Sequence, residues 1–126
     1  MMSELEYETA ATLAAVERFN EAFNRHDVDA IMATLTDDCI FENTNPFPDG
    51  ARYEGHGAVR EVWVKVFHGS STAHFESEEI FASGSRCVVS WVYRKTKEGK
   101  PWHLRGIDLF RVREGKIAET LSYDKG

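Results

Sequence analysis

The chain has 126 residues, with 15 Lys+Arg against 21 Asp+Glu and a net charge of -6, a length that makes one domain with a sizeable core. Its 42% hydrophobic, 12% aromatic and 29% charged residues are those of a globular protein, which excludes disordered and fibrous chains. The acidic balance and the lack of a basic run argue against a nucleic-acid partner, and no apolar run is long enough to span a bilayer.

The segment Met1-Met2-Ser3-Glu4-Leu5-Glu6 is acidic and lacks the apolar stretch of a signal peptide, so a cytoplasmic protein is expected. Over residues 3–25, Leu13, Val16, Phe19 and Phe23 recur at helical spacing. His26-Asp27 interrupts the pattern, and Asp27 suits the N-cap of a short helix reaching residue 35 that buries Val28, Ile31, Met32 and Leu35. Thr36-Asp37-Asp38 reads as a turn, and residues 39–43 as a strand with Cys39, Phe41 and Asn43 on one face. Residues 45–50 hold two prolines and a glycine and form a loop; residues 52–54 can add a short extended piece. A third helix from near Gly57 presents Val59, Val62, Trp63, Val66 and Phe67 as one stripe.

The remainder is extended. Strands are expected over 74–82, 86–96, 101–112 and 116–123, with Glu98-Gly99 and Glu114-Gly115 marking hairpins. Helices followed by antiparallel strands make an α+β fold with helices on one face of a sheet, in a single domain over residues 1–126.

Strand 101–112 carries the most informative pattern. Trp102, Leu104, Gly106, Asp108, Phe110 and Val112 share a face, so Asp108 stands in an otherwise apolar set. A two-residue turn at Glu98-Gly99 puts Asp108 opposite Val89, on the face of Cys87, Trp91 and Tyr93; a three-residue bulged loop puts it opposite Val88, with Ser90 and Val92. In either register a carboxylate there must be protonated, paired or hydrogen-bonded. Desolvation raises its pKa toward the range of a general acid or base, whereas a structural hydrogen bond to backbone, hydroxyl or Arg accounts for it without any chemistry.

Asn43 can orient a polar ligand atom or close the start of the proline loop. Trp63, Phe67 and Phe19 can wall a cavity or simply fill a core, and Trp91 joins the Asp108 face in the first register. Cys39 and Cys87 lie on separate strands as reduced core thiols. His26, His56, His68, His74 and His103 show no metal-ligand spacing, and no cofactor fingerprint is present. On the opposite face of strand 101–112, Ile107 and Leu109 lie among His103, Arg105 and Arg111, which suggests a covering layer, supplied by a second copy of the chain or in part by the chain's own terminus.

Residues 16–31 and 35–43, with Arg105-Gly106-Ile107-Asp108-Leu109-Phe110-Arg111-Val112 and Glu114-Gly115-Lys116-Ile117, resemble the SnoaL-like branch of the NTF2-like superfamily, which includes polyketide cyclases and ketosteroid isomerases. The resemblance runs from about residue 12 to 124. It implies a cystatin-type cone of strongly curved antiparallel sheet capped by three helices, an apolar pocket inside, and a homodimer through the outer sheet face. It also implies a bulged three-residue loop at Gly115, with Ala118, Thr120 and Ser122 inward.

Asp108 resembles the protonated Asp of the ketosteroid isomerase oxyanion hole. Asn43 stands where those enzymes carry their general-base Asp, and Phe19 where they carry an oxyanion-hole Tyr. Ser122 stands where epoxide hydrolases of this fold carry an acid. Steroid isomerisation and two-acid hydrolysis by those routes therefore lack their residues. The expectation is a pocket for a small apolar, carbonyl-bearing molecule, with Asp108 as acid or base of a cofactor-independent isomerase or cyclase and Asn43, Trp63, Phe67, Phe19 and Trp91 contacting the ligand. A non-catalytic ligand-binding or dimeric interaction domain is the alternative.

Overall fold

The structure, a computed structural model, describes residues 1–125. Helix α1 (Glu4–Asn24) starts at a capping box, in which Ser3 Oγ accepts the Glu6 N–H and the Glu6 carboxylate accepts the Ser3 N–H, both at 3.1 Å. It ends where His26 takes a φ of 57°. Asp27 then caps α2 (Val28–Ala33) by accepting the Ala30 N–H at 3.0 Å.

Helix α2 is shorter than its apolar pattern suggests, because Leu35 already opens strand β1 (Leu35–Glu42). Leu35 lies beside Ile117, whose N–H donates to Thr34 O at 2.8 Å. Thr36-Asp37-Asp38, expected as a turn, is drawn into an irregular stretch of strand between Leu35 and Ile40. The flanks Leu35 and Ile40 pair with Ile117 and Glu119 on β6, and the register shifts across the residues between them.

Strand β2 (Arg52–Glu54), α3 (His56–Gly69) and strands β3 (His74–Ser83), β4 (Arg86–Lys97), β5 (Lys100–Arg113) and β6 (Lys116–Asp124) follow. The six strands form one sheet in the order β2-β1-β6-β5-β4-β3. Neighbours run antiparallel except β1, which lies parallel to β6. The sheet curls around the helices, with register breaks between Ser77 and Glu79 in β3 and opposite Arg111 and Val112 in β6 adding local bend.

Both long hairpins close with two residues at positive φ, Glu98 and Gly99 at 52° and 76° and Glu114 and Gly115 at 52° and 77°, the turn whose twist matches the strands. The three-residue loop expected at Gly115 is thus replaced by a tight turn in which Arg113 faces Lys116. The extra residue sits further along as a bulge at Ala118, since Val112 pairs with Ile117 and Arg111 with Glu119.

The inner face of α1, including Thr12, Val16, Phe19 and Phe23, is buried against the sheet. Polar tethers fix its position: Thr12 Oγ1 donates to Gly84 O at 2.6 Å, and the Asn24 side chain exchanges bonds of 3.0 and 2.9 Å with the Phe75 backbone. Cys39 and Cys87 are free and buried; burial pushes the Cys87 thiol up to about 11, far from thiolate reactivity. No helix among the described residues is long and apolar enough to cross a membrane.

The convex face is different in kind. Phe81, Val88, Leu109 and Leu121 are aligned across four strands, with Ile107 and Tyr123 paired in a nearby row. Phe81, Ile107 and Tyr123 are exposed there.

Candidate functional site

The tight turn at Glu98-Gly99 decides the register left open by the sequence: Asp108 faces Val89, and Trp91 faces Gly106. The inward face of β4 therefore carries Cys87, Val89, Trp91, Tyr93 and Lys95, and that of β5 carries Trp102, Leu104, Gly106 and Asp108. The absence of a side chain at Gly106 is a packing requirement. A Cβ there would meet Tyr123 O at 2.3 Å and the Trp91 ring at 2.6 Å, so the glycine lets the indole lie across β5.

Between this face and the helices is a cavity of about 220 Å³. Phe19, Phe41 and Trp63 wall it from the helices and β1, and Phe75, Trp91 and Tyr93 from the sheet. The rings lock one another: Phe19 meets Trp63 edge-on at 5.7 Å, Phe41 meets Trp63 at 5.0 Å, and Phe75 meets Trp91 edge-on at 5.1 Å. Asn43, Asp108, Thr120 and Ser122 bring polar groups to the same space.

Asp108 is only 8% exposed. Ser122, directly opposite on β6, donates its hydroxyl to Asp108 Oδ1 at 2.6 Å. Loss of hydration pushes the Asp108 carboxyl up to about 6, against the smaller opposing pull of the Ser122 hydroxyl and the nearby Trp91 indole N–H. The Trp91 N–H is buried without completing a hydrogen bond, so it biases the carboxyl electrostatically while Ser122 holds it in place. A group titrating just below neutrality is mostly carboxylate at pH 7 and is suited to accept a proton.

Asn43 follows the end of β1. Its Oδ1 accepts the Thr44 N–H at 2.8 Å, and the residue lines the cavity with an NH₂ group that this bond does not use.

Asp108, Asn43, Trp63, Phe19 and Trp91 are thus brought together around one space, whereas Phe67 is not. Phe67 stacks on His26 at 4.4 Å and packs against Phe23 at 4.9 Å. Phe23 takes the place at the cavity wall because Phe67 falls on the flank of the α3 stripe that turns toward the end of α1. The chemistry-bearing residue not anticipated as a partner is Ser122, together with Tyr93, Lys95 and Trp102 at the far end of the cavity. Their signal was the strand parity they share with Asp108. Among the described residues no three His, Cys, Asp or Glu side chains converge as metal ligands.

Residues 16–120 match the model of the SnoaL-like domain. An NTF2-like protein of unknown function from Mesorhizobium loti is 34% identical over 94% of both chains, with a TM-score of 0.82. A proposed polyketide cyclase from Xanthomonas campestris pv. campestris is 25% identical over 92% of this chain and 91% of its own, with a TM-score of 0.76. An LEH-like epoxide hydrolase of M. tuberculosis is 23% identical over 94% of this chain and 85% of its own, also with a TM-score of 0.76. Among curated proteins none matches the sequence. Matched along most of its length and folded as an NTF2-like cone, the chain belongs to the SnoaL-like domain family.

Proposed function

We propose that the protein binds a small, flat, apolar molecule bearing a carbonyl group and that Asp108 moves a proton at the carbon beside that carbonyl. The observation that carries this reading is a single buried carboxyl, pushed up to about 6, in the wall of an aromatic cavity. In the reaction the Asp108 carboxylate takes a proton from the carbon, and the electron pair moves onto the carbonyl oxygen as an enolate. The Asn43 NH₂ group donates to that oxygen, and the protonated Asp108 returns the proton to another carbon of the enolate system. The proton is conserved, so the step requires no added oxidant or reductant. Ser122 keeps the carboxyl oriented, and the aromatic walls exclude water that would compete for the proton.

Proton-exchange NMR in deuterium oxide with 2-tetralone tests this directly. Wild-type protein is expected to accelerate deuterium uptake beside the carbonyl, and Asp108→Asn to abolish the acceleration while still binding. Binding without accelerated exchange in the wild type would instead establish a non-catalytic ligand-binding domain.

We also propose that the aligned apolar residues of the convex face are covered by a second copy of the chain. Contiguous apolar surface favours such burial, and a two-fold contact uses the same patch on both partners. Both margins of the patch carry both signs: Arg86 lies 3.5 Å and Arg111 3.9 Å from Glu119 at one, and Arg105 2.9 Å from Glu78 at the other.

A further inference from the structure

Of the residues lining the cavity, Asp108 and Lys95 are the two whose side chains carry charge near neutral pH. They stand at opposite ends. Asp108 faces Val89, and Tyr93 lies four positions further along β4, about 13 Å at roughly 3.3 Å per residue. Lys95 extends over that end, its Nζ 5.9 Å from the Tyr93 ring centre and 5.1 Å from that of Trp102.

The chain holds 21 acidic residues against 15 basic ones, yet among the described residues no carboxylate pairs with Lys95. Its neighbour Arg94, on the other face of β4, is matched by Glu76 at 3.1 Å. Lys97 adds a second cation 5.7 Å from the Trp102 ring on the rim. A cation lying beside two aromatic rings that meet edge-on, in the cavity lining and without a protein counter-ion, supplies a receptor for an anion on a flat ligand.

We propose that the natural ligand is an aromatic carbonyl compound with an anionic group, a carboxylate or phenolate, at the end remote from the carbonyl. This rests on the small-carbonyl reading of the same cavity. The two charges also fix orientation. An anion near the Asp108 carboxylate would be repelled, whereas one beside Lys95 stands farther from that carboxylate and meets the ammonium charge instead. The carbonyl is thereby directed to Asp108 and the anionic end to Lys95 and Trp102.

The test compares 6-acetyl-2-naphthoate with its neutral isostere 6-acetyl-2-naphthamide by titration calorimetry at pH 7.5. Wild-type protein is expected to bind the acid about tenfold tighter, the scale of one charge-assisted hydrogen bond, with the preference shrinking as salt rises. Lys95→Met should lose the preference, binding the acid no more tightly than the amide. Lys97→Met, whose residue does not line the cavity, should keep most of it. Equal binding of the two probes by the wild type, or a preference that survives Lys95→Met, overturns the proposal. A preference abolished by Lys97→Met and retained by Lys95→Met overturns it as well, assigning the effect to the solvated hairpin tip. If neither probe binds, the carbonyl-pocket reading itself fails and takes this one with it; that result is distinct from binding without preference.

Discussion

Ser122 and Asp108 face each other across the β5–β6 pair, and the Ser122 hydroxyl donates to Asp108 Oδ1 at 2.6 Å. This donor favours the ionised carboxylate and so partly offsets the desolvation that raises its pKa. Removing it as Ser122→Ala is expected to lift the Asp108 pKa above about 6, seen by carbon-13 NMR titration of the carboxyl. The optimum of any Asp108-dependent proton exchange should move to higher pH with it. An unchanged or lower carboxyl pKa would mean that the Ser122 bond does not stabilise the charged form.

The raised pKa also sets a pH dependence of stability. The folded value of about 6 lies above the ordinary 3.8, so the folded state holds its proton longer than the unfolded chain. Stability linked to this group is full below pH 3.8 and is lost as pH rises through about 6. The loss is at most about 3 kcal/mol, from roughly 1.4 kcal/mol per unit. Asp108→Asn carries no charge and escapes it. Urea unfolding is expected to show the variant more stable than the wild type at pH 8, with the gap closing at pH 4. A gap of equal size at both pH values would remove the linkage.

Much of this site could be read from alternation along β5, which places Asp108, Gly106, Leu104 and Trp102 on one face whatever its partners do. The partners depended on turn geometry. One residue added to the loop at Gly115 or bulged at Ala118 gives the same pairing beyond it, so Thr120 and Ser122 face inward although the expected loop is absent. That register pairs Ser122 with Asp108, and the value of a serine there is as a donor to the carboxylate and not as the second acid the resemblance implies at this position. Phe67 shows the opposite limit. The α3 stripe marks which face is apolar, but it is broader than the cavity, and only packing against Phe23 and His26 shows that its last ring lies elsewhere. Thr36-Asp37-Asp38 keeps its irregularity inside β1, where the register with β6 shifts between Leu35 and Ile40 and only the flanks of the segment are paired.

Gly106 lies where the Trp91 indole crosses β5. A methyl group there would stand 2.3 Å from Tyr123 O and 2.6 Å from the Trp91 ring, and neither backbone nor buried indole yields readily. Gly106→Ala is expected to destabilise the fold by about 1–3 kcal/mol, the usual cost of overpacking. It should also alter near-ultraviolet circular dichroism as Trp91 is displaced. Because Trp91 walls the cavity, affinity for 2-tetralone should fall in molecules that remain folded. Unchanged stability and an unchanged aromatic spectrum would show that the ring has room the geometry denies it.

The convex face supplies the last prediction. Ile107 is 39% exposed and pairs with the exposed Tyr123, beside the aligned Phe81, Val88, Leu109 and Leu121. An isolated aliphatic on a surface needs no explanation, but a contiguous group across four strands does. If a second copy covers it, light scattering should give twice the chain mass of 14.3 kDa at micromolar concentration. Ile107→Arg places a charge near the centre of the patch on both partners at once, so a two-fold contact suffers twice from one substitution. The variant is expected to run at the mass of one chain with an unaltered far-ultraviolet spectrum, since its side chain is largely outside the core. Its melting temperature should become independent of protein concentration, whereas that of the wild type should rise with concentration. A wild type already monomeric at tens of micromolar would leave the face without its partner copy.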